Sequence, residues 1–106
     1  MTTVVIVDDH PIVRAGMRSI LQSAADIQII GEGENGADAL RLVEAFRPDV
    51  LALDVQLPDM NGLEVTRRLR EKGFATAILI LTAHNDSQVI FGLLESGAVG
   101  YVLKDE

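Results

Sequence analysis

The sequence predicts an α/β domain with a doubly wound, five-stranded parallel sheet that carries helices on both faces. Five short apolar runs, most of them rich in β-branched residues, recur along the 106-residue chain. Segments with the periodicity of an amphipathic helix separate most of these runs. Strands that alternate with helices pair in parallel, because each crossover returns the chain to the same end of the sheet. A chain of this length has room for a single core, and therefore for one domain.

Residue types that start or stop regular structure support the predicted elements. The strands cover residues 4–7, 27–30, 50–53, 77–81 and 101–103. The helices cover residues 12–25, 37–46, 63–72 and 87–96. Pro11 suits the first position of the first helix, and Asn61 with Glu64 predicts a capping box at the start of the third. Left-handed caps are expected at two glycines, Gly73 and Gly97.

The composition excludes several classes of function. A formal net charge of −7 argues against nucleic-acid binding through this segment, because binding to phosphates depends on clustered Lys and Arg. The one basic run, residues 67–72, is interpreted as a solvated helix face. Cysteine is absent, so disulfides and thiolate metal sites are excluded. The chain has no apolar run of the roughly 20 residues that a membrane span needs, and because no basic region precedes its first apolar run, we expect no secretory signal.

Polar side chains follow four of the five predicted strands at the point where each strand ends. Asp8 and Asp9 follow the first strand, Asp54 the third, Thr82 the fourth and Lys104 the fifth. The carboxyl ends of parallel strands meet at one edge of the sheet, and ligands bind beyond that edge. We therefore expect these five side chains to form one pocket.

The residue types in this pocket point to phosphoryl chemistry beside a metal ion. Three carboxylates without cysteine offer the hard oxygen ligands that suit Mg²⁺ or Mn²⁺. Such an ion would offset the repulsion between the adjacent Asp8 and Asp9. Thr82 and Lys104 could then bind a phosphoryl group, and Asp54 could accept it as an acyl phosphate. Any one aspartate could instead be a turn or cap residue, but that reading does not explain all five positions.

Four longer motifs run through the chain: VVIVDDHPIVRAGMRSIL, RPDVLALDVQLPDMNGLEVTRRLR, ILILTAH and GAVGYVLKDE. These motifs resemble the receiver domains of two-component response regulators along the whole chain. They are most similar to the NarL/FixJ (LuxR-type) branch, whose members usually carry a C-terminal helix-turn-helix domain that binds DNA. The resemblance implies a flavodoxin-like sheet with the strand order 2-1-3-4-5.

Matched motif by motif, the resemblance assigns a role to each acidic residue. Asp54 becomes the phosphoacceptor and Asp9 a direct Mg²⁺ ligand. Asp8 acts on the metal through a water molecule, and the backbone carbonyl of Gln56 completes the protein ligands.

The same resemblance assigns the residues that bind and sense the phosphoryl group. Thr82 and Lys104 contact its oxygens, and Ala83 donates a backbone N–H. Tyr101 matches the aromatic switch position, which responds when Thr82 moves toward the new anion. Alternatively, Tyr101 has a purely structural role, as an amphipathic residue at the edge of a strand.

The two histidines are interpreted as rim residues of the pocket. His10 and His84 follow different strands and lack the spacing of metal ligands. In relatives, the positions of Gln56 and His84 tune the lifetime of the acyl phosphate. Both residues could equally be solvated loop residues.

A dinucleotide-binding site is a competing interpretation of the segment GEGENG, which matches G-x-G-x-x-G. Glu32 and Glu34 would repel a pyrophosphate at this loop. The glycines, Gly31, Gly33 and Gly36, are therefore interpreted as turn residues.

Two further classes compete with the receiver. A haloacid-dehalogenase-like phosphatase also pairs an Asp nucleophile with Thr, Lys and Mg²⁺, but Gln56 stands where its general acid would be. A pseudo-receiver would use the fold only to dock other proteins, and the five intact site positions argue against it. We expect a self-phosphorylating phosphoacceptor with slow autodephosphorylation rather than a turnover enzyme.

The resemblance also implies partners and a location. The expected partner is a sensor histidine kinase, and the expected location is the cytoplasm without membrane contact. The sequence ends at Glu106, where the fifth helix of the family begins, so we expect residues 1–106 to be a receiver domain without that helix or an effector domain. Apolar surface beside the fifth strand and first helix would then be bare, and we expect lower stability or self-association as a homodimer.

Overall fold

A computed structural model of the chain describes residues 1–82 and 100–103, with the backbone alone for residues 82 and 100–103. The elements are β1 (Thr2–Val7), α1 (Pro11–Gln22), β2 (Ile27–Gly33), α2 (Gly36–Phe46), β3 (Val50–Asp54), α3 (Gly62–Glu71), β4 (Ala77–Thr82) and β5 (Gly100–Leu103). The five strands form one sheet in the order β2-β1-β3-β4-β5, and every pair is parallel. This confirms the predicted sheet and strand order. The helix predicted at residues 87–96 lies outside the described residues.

The order of the strands places the helices on two faces. The connection from β1 to β2 crosses the sheet in one direction, whereas the connections from β2 to β3 and from β3 to β4 cross in the other. Because crossovers of this kind are right-handed, α1 lies on one face, and α2 and α3 lie on the opposite face. In agreement, α2 and α3 contact each other, while α1 packs on β1 and β2.

The described core lies between the sheet and the layer formed by α2 and α3. Alternate residues of the three central strands point into it: Val5, Val7, Leu51, Leu53, Ile78 and Ile80. The helices contribute Ala39, Leu42, Val43, Val65 and Leu69. By contrast, α1 has no fully buried residue. The side chains of Ile12 and Ile20 on that helix are 87% and 72% exposed.

Two helices begin as their sequence signals predict. Helix α1 starts at Pro11. At the start of α3, the side chain of Asn61 accepts a hydrogen bond of 2.9 Å from the backbone N–H of Glu64. The capping box is only half formed, because the carboxylate of Glu64 binds Arg67 and Arg68 instead of turning back to the cap.

The end of α1 differs from the prediction, whereas α2 ends at Phe46 as predicted. Helix α1 ends at Gln22 rather than at residue 25, because the hydroxyl and N–H of Ser23 both donate to the carbonyl of Ile20. Arg47, a residue with no turn signal, ends α2 in the left-handed conformation with a φ of 45°. Gly73 follows α3 with a φ of 83°, as predicted. Among residues 1–82 and 100–103, no helix is long and apolar enough to cross a membrane.

The glycines of GEGENG are packing residues, so their interpretation as turn residues was wrong. Gly31 and Gly33 lie within β2, and Gly36 is the first residue of α2. A methyl group at Gly33 would approach the Cβ of Asp38 to 2.7 Å, and one at Gly36 would collide with the side chain of Met60. Close approach of α2 to its neighbours therefore requires glycine at these positions.

Candidate functional site

An acidic cluster lies at the carboxyl edge of the two central strands β1 and β3. Val7 pairs with Leu53 across these strands, so the next residues, Asp8 and Asp54, lie side by side. Asp9 and His10 complete the cluster, in which one ligand atom from each of the four residues lies within 4.8 Å of the others. Three of the five side chains that the sequence predicts at this edge are thereby brought together.

The carboxylates differ in their exposure to solvent. Asp8 is fully buried and Asp54 is 4% exposed, whereas the side chain of Asp9 is 35% exposed. Burial of charged carboxylates costs free energy unless hydrogen bonds or cations compensate for lost hydration. The site is therefore built to attract positive charge.

Hydrogen bonds from three directions fix Asp8. Its backbone N–H donates to the carbonyl of Gly33 in β2 at 3.1 Å. Its Oδ1 accepts from the backbone N–H of His10 at 2.9 Å. Its own carbonyl accepts from the guanidinium of Arg14 at 2.6 Å. The turn after β1 is thus held by β2 and α1 together.

His10 contacts the acidic pair more closely than the sequence indicated. Its Nδ1 lies 3.0 Å from Oδ1 of Asp8 and 3.0 Å from Oδ1 of Asp9, although the side chain is 62% exposed. Sequence reasoning expected a rim residue, and the structure adds contact with both carboxylates. The available signal was its position directly after the two aspartates, at the N-cap of α1.

The oxygen atoms of this cluster suit a hard divalent cation. Oδ1 of Asp9 is buried and has no hydrogen-bond partner among the described residues, because the nearby ring of His10 lacks suitable hydrogen-bond geometry. A buried carboxylate oxygen that accepts no hydrogen bond is stabilised by a cation and not by an apolar neighbour. The donor set of several carboxylate oxygens fits Mg²⁺ or Mn²⁺.

The loop after β3 orients Asp54. The backbone N–H of Gln56 donates to Oδ1 of Asp54 at 3.2 Å. The base of the loop is closed by a hydrogen bond of 2.7 Å from the N–H of Gly62 to the carbonyl of Val55. Gln56 also forms an isolated antiparallel bridge with Asn61. The ligand role of the Gln56 carbonyl stays a prediction.

The backbone brings two more of the predicted positions to the same edge. Leu81 pairs with Asp54, so Thr82 lies one residue further toward the site. Thr82 pairs in turn with Leu103 of β5, and Tyr101 lies two residues earlier on that strand. The side chains of Thr82 and Tyr101 lie outside the described part of the chain. The same is true of three whole residues, Ala83, His84 and Lys104.

Comparison with known proteins agrees with this geometry. The family model for the response regulator receiver domain matches residues 4–106. This chain belongs to the response regulator receiver family. Membership argues against the dinucleotide-binding and phosphatase alternatives.

Individual relatives place the chain in the NarL/LuxR-type branch. The nitrate/nitrite response regulator protein NarL of Escherichia coli K12 is 39% identical over 103 residues, which are 97% of this chain and 48% of that protein. The transcriptional regulatory protein YdfI of Bacillus subtilis is 42% identical over 105 residues, 99% of this chain and 49% of the relative. The chain thus spans about half the length of the curated relatives it matches.

Solved structures show the same fold. The signal receiver domain of a putative response regulator NarL from Mycobacterium tuberculosis superposes with a TM-score of 0.96 at 36% identity, covering 99% of this chain and 85% of that one. A LuxR-family response regulator from Aurantimonas gives 0.94 at 36% identity, with coverage of 100% and 76%. The receiver fold and the signalling class predicted from the sequence are confirmed.

Proposed function

We propose that this domain is switched by phosphorylation of Asp54, with the phosphoryl group coming from a phosphohistidine of a sensor histidine kinase. The observation that carries the proposal is the meeting of Asp8, Asp9 and Asp54 at the end of β1 and β3, where one carboxylate oxygen of each lies within 4.8 Å of the others. An acidic nucleophile among other carboxylates needs a cation before it can approach an anionic phosphoryl group, and this cluster supplies the ligands.

In the proposed reaction, a carboxylate oxygen of Asp54 attacks the phosphorus of the phosphohistidine. An O–P bond forms to give an acyl phosphate, the N–P bond breaks, and the imidazole leaves with the electron pair and takes up a proton. The N–H of Gln56 holds the carboxylate in one orientation. Catalysis therefore consists of positioning and charge neutralisation.

Mg²⁺ or Mn²⁺ bound at this site would neutralise the negative charge on the attacking and transferred oxygens. Asp9 and Asp54 are the proposed direct ligands, together with the backbone carbonyl of Gln56. Asp8, buried behind them, is proposed to act through a water molecule. The buried Oδ1 of Asp9 supports this assignment.

The phosphoryl group itself is proposed to be bound from the other side of the site. Thr82 and Lys104 contact its oxygens, and Ala83 donates its backbone N–H. Thr82 and Tyr101 then form the switch: Thr82 moves toward the anion, and the Tyr101 ring fills the vacated space. The register of β3, β4 and β5 supports this placement.

We propose that the complete protein is a cytoplasmic transcription regulator. This segment would control a DNA-binding region beyond these 106 residues, since two matched relatives are a response regulator and a transcriptional regulatory protein of about twice the matched length. The segment itself is not proposed to bind nucleic acid, because its net charge is −7.

Self-association is proposed to use the apolar surface beside β5 and α1, and the face of α1 is the part of that surface whose side chains the structure describes. Ile12 and Ile20 are large apolar side chains, 87% and 72% exposed on that helix. Sedimentation equilibrium over a range of protein concentrations measures the association, and we expect the average molecular mass to rise with concentration in the wild type. Ile20→Lys, which places a charge on this face, should weaken the association. If the wild type stays a monomer up to high concentration, as Ile20→Lys should, the proposal is contradicted.

Mass spectrometry after incubation with acetyl phosphate and Mg²⁺ tests the proposed function. The wild type should gain the mass of one phosphoryl group, and Asp54→Asn should gain nothing. Asp49→Asn is the matched control, since this exposed aspartate lies at the opposite end of the sheet and should leave phosphorylation intact. A folded wild type that gains no mass supports the alternative of a domain that only docks other proteins.

A further inference from the structure

The carboxylate of Asp59 binds the loop between β3 and α3, residues 55–61, to the start of helix α2, which is distant in sequence. Oδ1 of Asp59 accepts a hydrogen bond of 2.7 Å from the backbone N–H of Gly36. Oδ2 of the same residue accepts one of 2.9 Å from the N–H of Ala37. Both oxygens thus bind the first turn of α2, where the backbone N–H groups have no partner within the helix. A carboxylate is also favoured there by the helix dipole.

Charge and packing show that this contact is specific. Partial desolvation opposes ionisation of Asp59, but hydrogen bonds from backbone N–H groups, led by that of Gly36, outweigh it and lower the pKa of the carboxyl. The neighbouring Met60 packs against Gly36 so closely that any side chain at that position would collide with it. The loop tip and the helix therefore fit each other by both polar and steric contacts.

The first turn of α2 is itself connected to the acidic cluster. Gly33, three residues before Gly36, accepts the backbone hydrogen bond of Asp8 at 3.1 Å. At the other end of the loop, Gln56 donates its N–H to Asp54. A closed path of contacts therefore runs from Asp8 through the end of β2 and the start of α2 to Asp59, and back along the loop to Asp54.

We propose that Asp59 is a positioning residue for the acidic site: it clasps α2 and thereby holds Gln56 and the β3–α3 loop in place relative to Asp8 and Asp9. Without the clasp, the loop must be ordered when a metal ion binds, and the ordering reduces affinity. The inference rests on the proposed function, because it concerns the same metal and phosphoacceptor site. Asp59 touches neither the metal nor the phosphoryl group.

The test compares Asp59→Ala with Asp49→Ala in the full chain. Asp49 is a matched control, because it also accepts a backbone N–H, that of Thr3 at 2.9 Å, but at the far end of the sheet. Calorimetric titration with Mg²⁺ should show a dissociation constant about tenfold higher for Asp59→Ala, the lower limit typical of residues that support metal ligands. Asp49→Ala should stay within about twofold of the wild type, since its contact is remote from the site.

Two further measurements separate positioning from general destabilisation. Phosphorylation of Asp59→Ala by acetyl phosphate should slow at low Mg²⁺ and recover at saturating Mg²⁺. Asp59→Asn, which keeps an acceptor oxygen and preserves the fold if the alanine variant unfolds, should show an intermediate Mg²⁺ affinity. Amide exchange at Gly36 and Ala37 should accelerate in both Asp59 variants before metal is added.

The outcomes distinguish the two proposals. If the wild type binds Mg²⁺ and is phosphorylated, but both Asp59 variants keep the wild-type dissociation constant, the clasp is structural only and the inference is overturned. If the wild type itself binds no Mg²⁺ and gains no phosphoryl group, the proposed function fails, and the inference fails with it.

Discussion

The guanidinium of Arg14 donates a hydrogen bond of 2.6 Å to the backbone carbonyl of Asp8. Nε of the same arginine lies 3.8 Å from Glu32, and its side chain is only 19% exposed. Helix α1 thereby places a cation directly behind the acidic cluster. This cation fixes the turn after β1, and its positive charge lies beside the acidic cluster, where it opposes the repulsion among the carboxylates only through the surrounding medium.

Replacing Arg14 with methionine should destabilise the protein by about 1.5 to 3 kcal/mol in the absence of metal, since a hydrogen bond from a charged donor is lost beside buried carboxylates. Mg²⁺ should restore part of this stability, because it supplies positive charge to the same acidic cluster. Urea unfolding with and without Mg²⁺ measures both effects. Arg18→Met is the control: Arg18 pairs with Glu32 at 2.7 Å and is 42% exposed, so its loss should cost less than about 1 kcal/mol. Equal losses for the two variants would contradict a special role for Arg14.

Asp9→Asn should make the metal-free protein more stable and abolish the response to Mg²⁺. The substitution removes one of three clustered negative charges, and we expect a gain of about 1 kcal/mol because Asp9 is partly solvated. In the wild type, Mg²⁺ at about 100 times its dissociation constant should add about 2.7 kcal/mol, and in Asp9→Asn it should add none. Thermal unfolding at several Mg²⁺ concentrations checks this. Asp26→Asn, an exposed aspartate near the start of β2, should retain the full response to Mg²⁺.

Asp49 should stabilise the fold only above acidic pH. The backbone N–H of Thr3, followed by its hydroxyl, lowers the pKa of the Asp49 carboxyl by hydrogen bonding. A carboxyl with a lowered folded-state pKa contributes stability above its unfolded pKa of about 3.9 and loses it as the pH falls through the folded value. Asp49→Asn should therefore unfold at lower temperature than the wild type at pH 7, and the difference should shrink below about pH 4. A difference that is constant from pH 7 to pH 3 would exclude this linkage.

Leu69→Ala should destabilise the protein by about 2 to 5 kcal/mol. Leu69 of α3 is fully buried in the core cluster, and its truncation leaves a cavity between the helix and the sheet. At protein concentrations where the chain is a monomer, Ile20→Ala on α1 should change stability by less than about 0.5 kcal/mol, because Ile20 is 72% exposed. Denaturant unfolding of both variants measures the contrast. Similar losses under these conditions would contradict the exposure of Ile20 in the monomer.

The sequence alone was sufficient for the sheet and for the edge at which the carboxylates meet. Apolar runs such as VVIV have the pattern of strands buried on both faces, and four of the five runs are followed directly by a polar residue. Once the strands are parallel, Asp8 and Asp54 must lie at the same edge, so the topology itself brings residues 46 positions apart into one cluster. Local signals also located Pro11 and Gly73 at helix ends, because backbone conformation there depends on residue type.

Only the tertiary structure decided which groups support that cluster. The hydrogen bond from Arg14 to the Asp8 carbonyl and the contact of Asp59 with α2 leave no periodic or local signal, and the position of His10 after the two aspartates does not reveal that its ring contacts both. Each of these contacts depends on the conformation of a side chain and on how closely two elements pack. The sequence contains many other residues of the same types that could have formed such contacts. The glycines of GEGENG show the same limit: the sequence favours turn residues there, but packing of α2 against β2 and Met60 determines their role. Hydrophobic patterning thus determines the arrangement of the elements, whereas the packed fold selects the polar contacts between them.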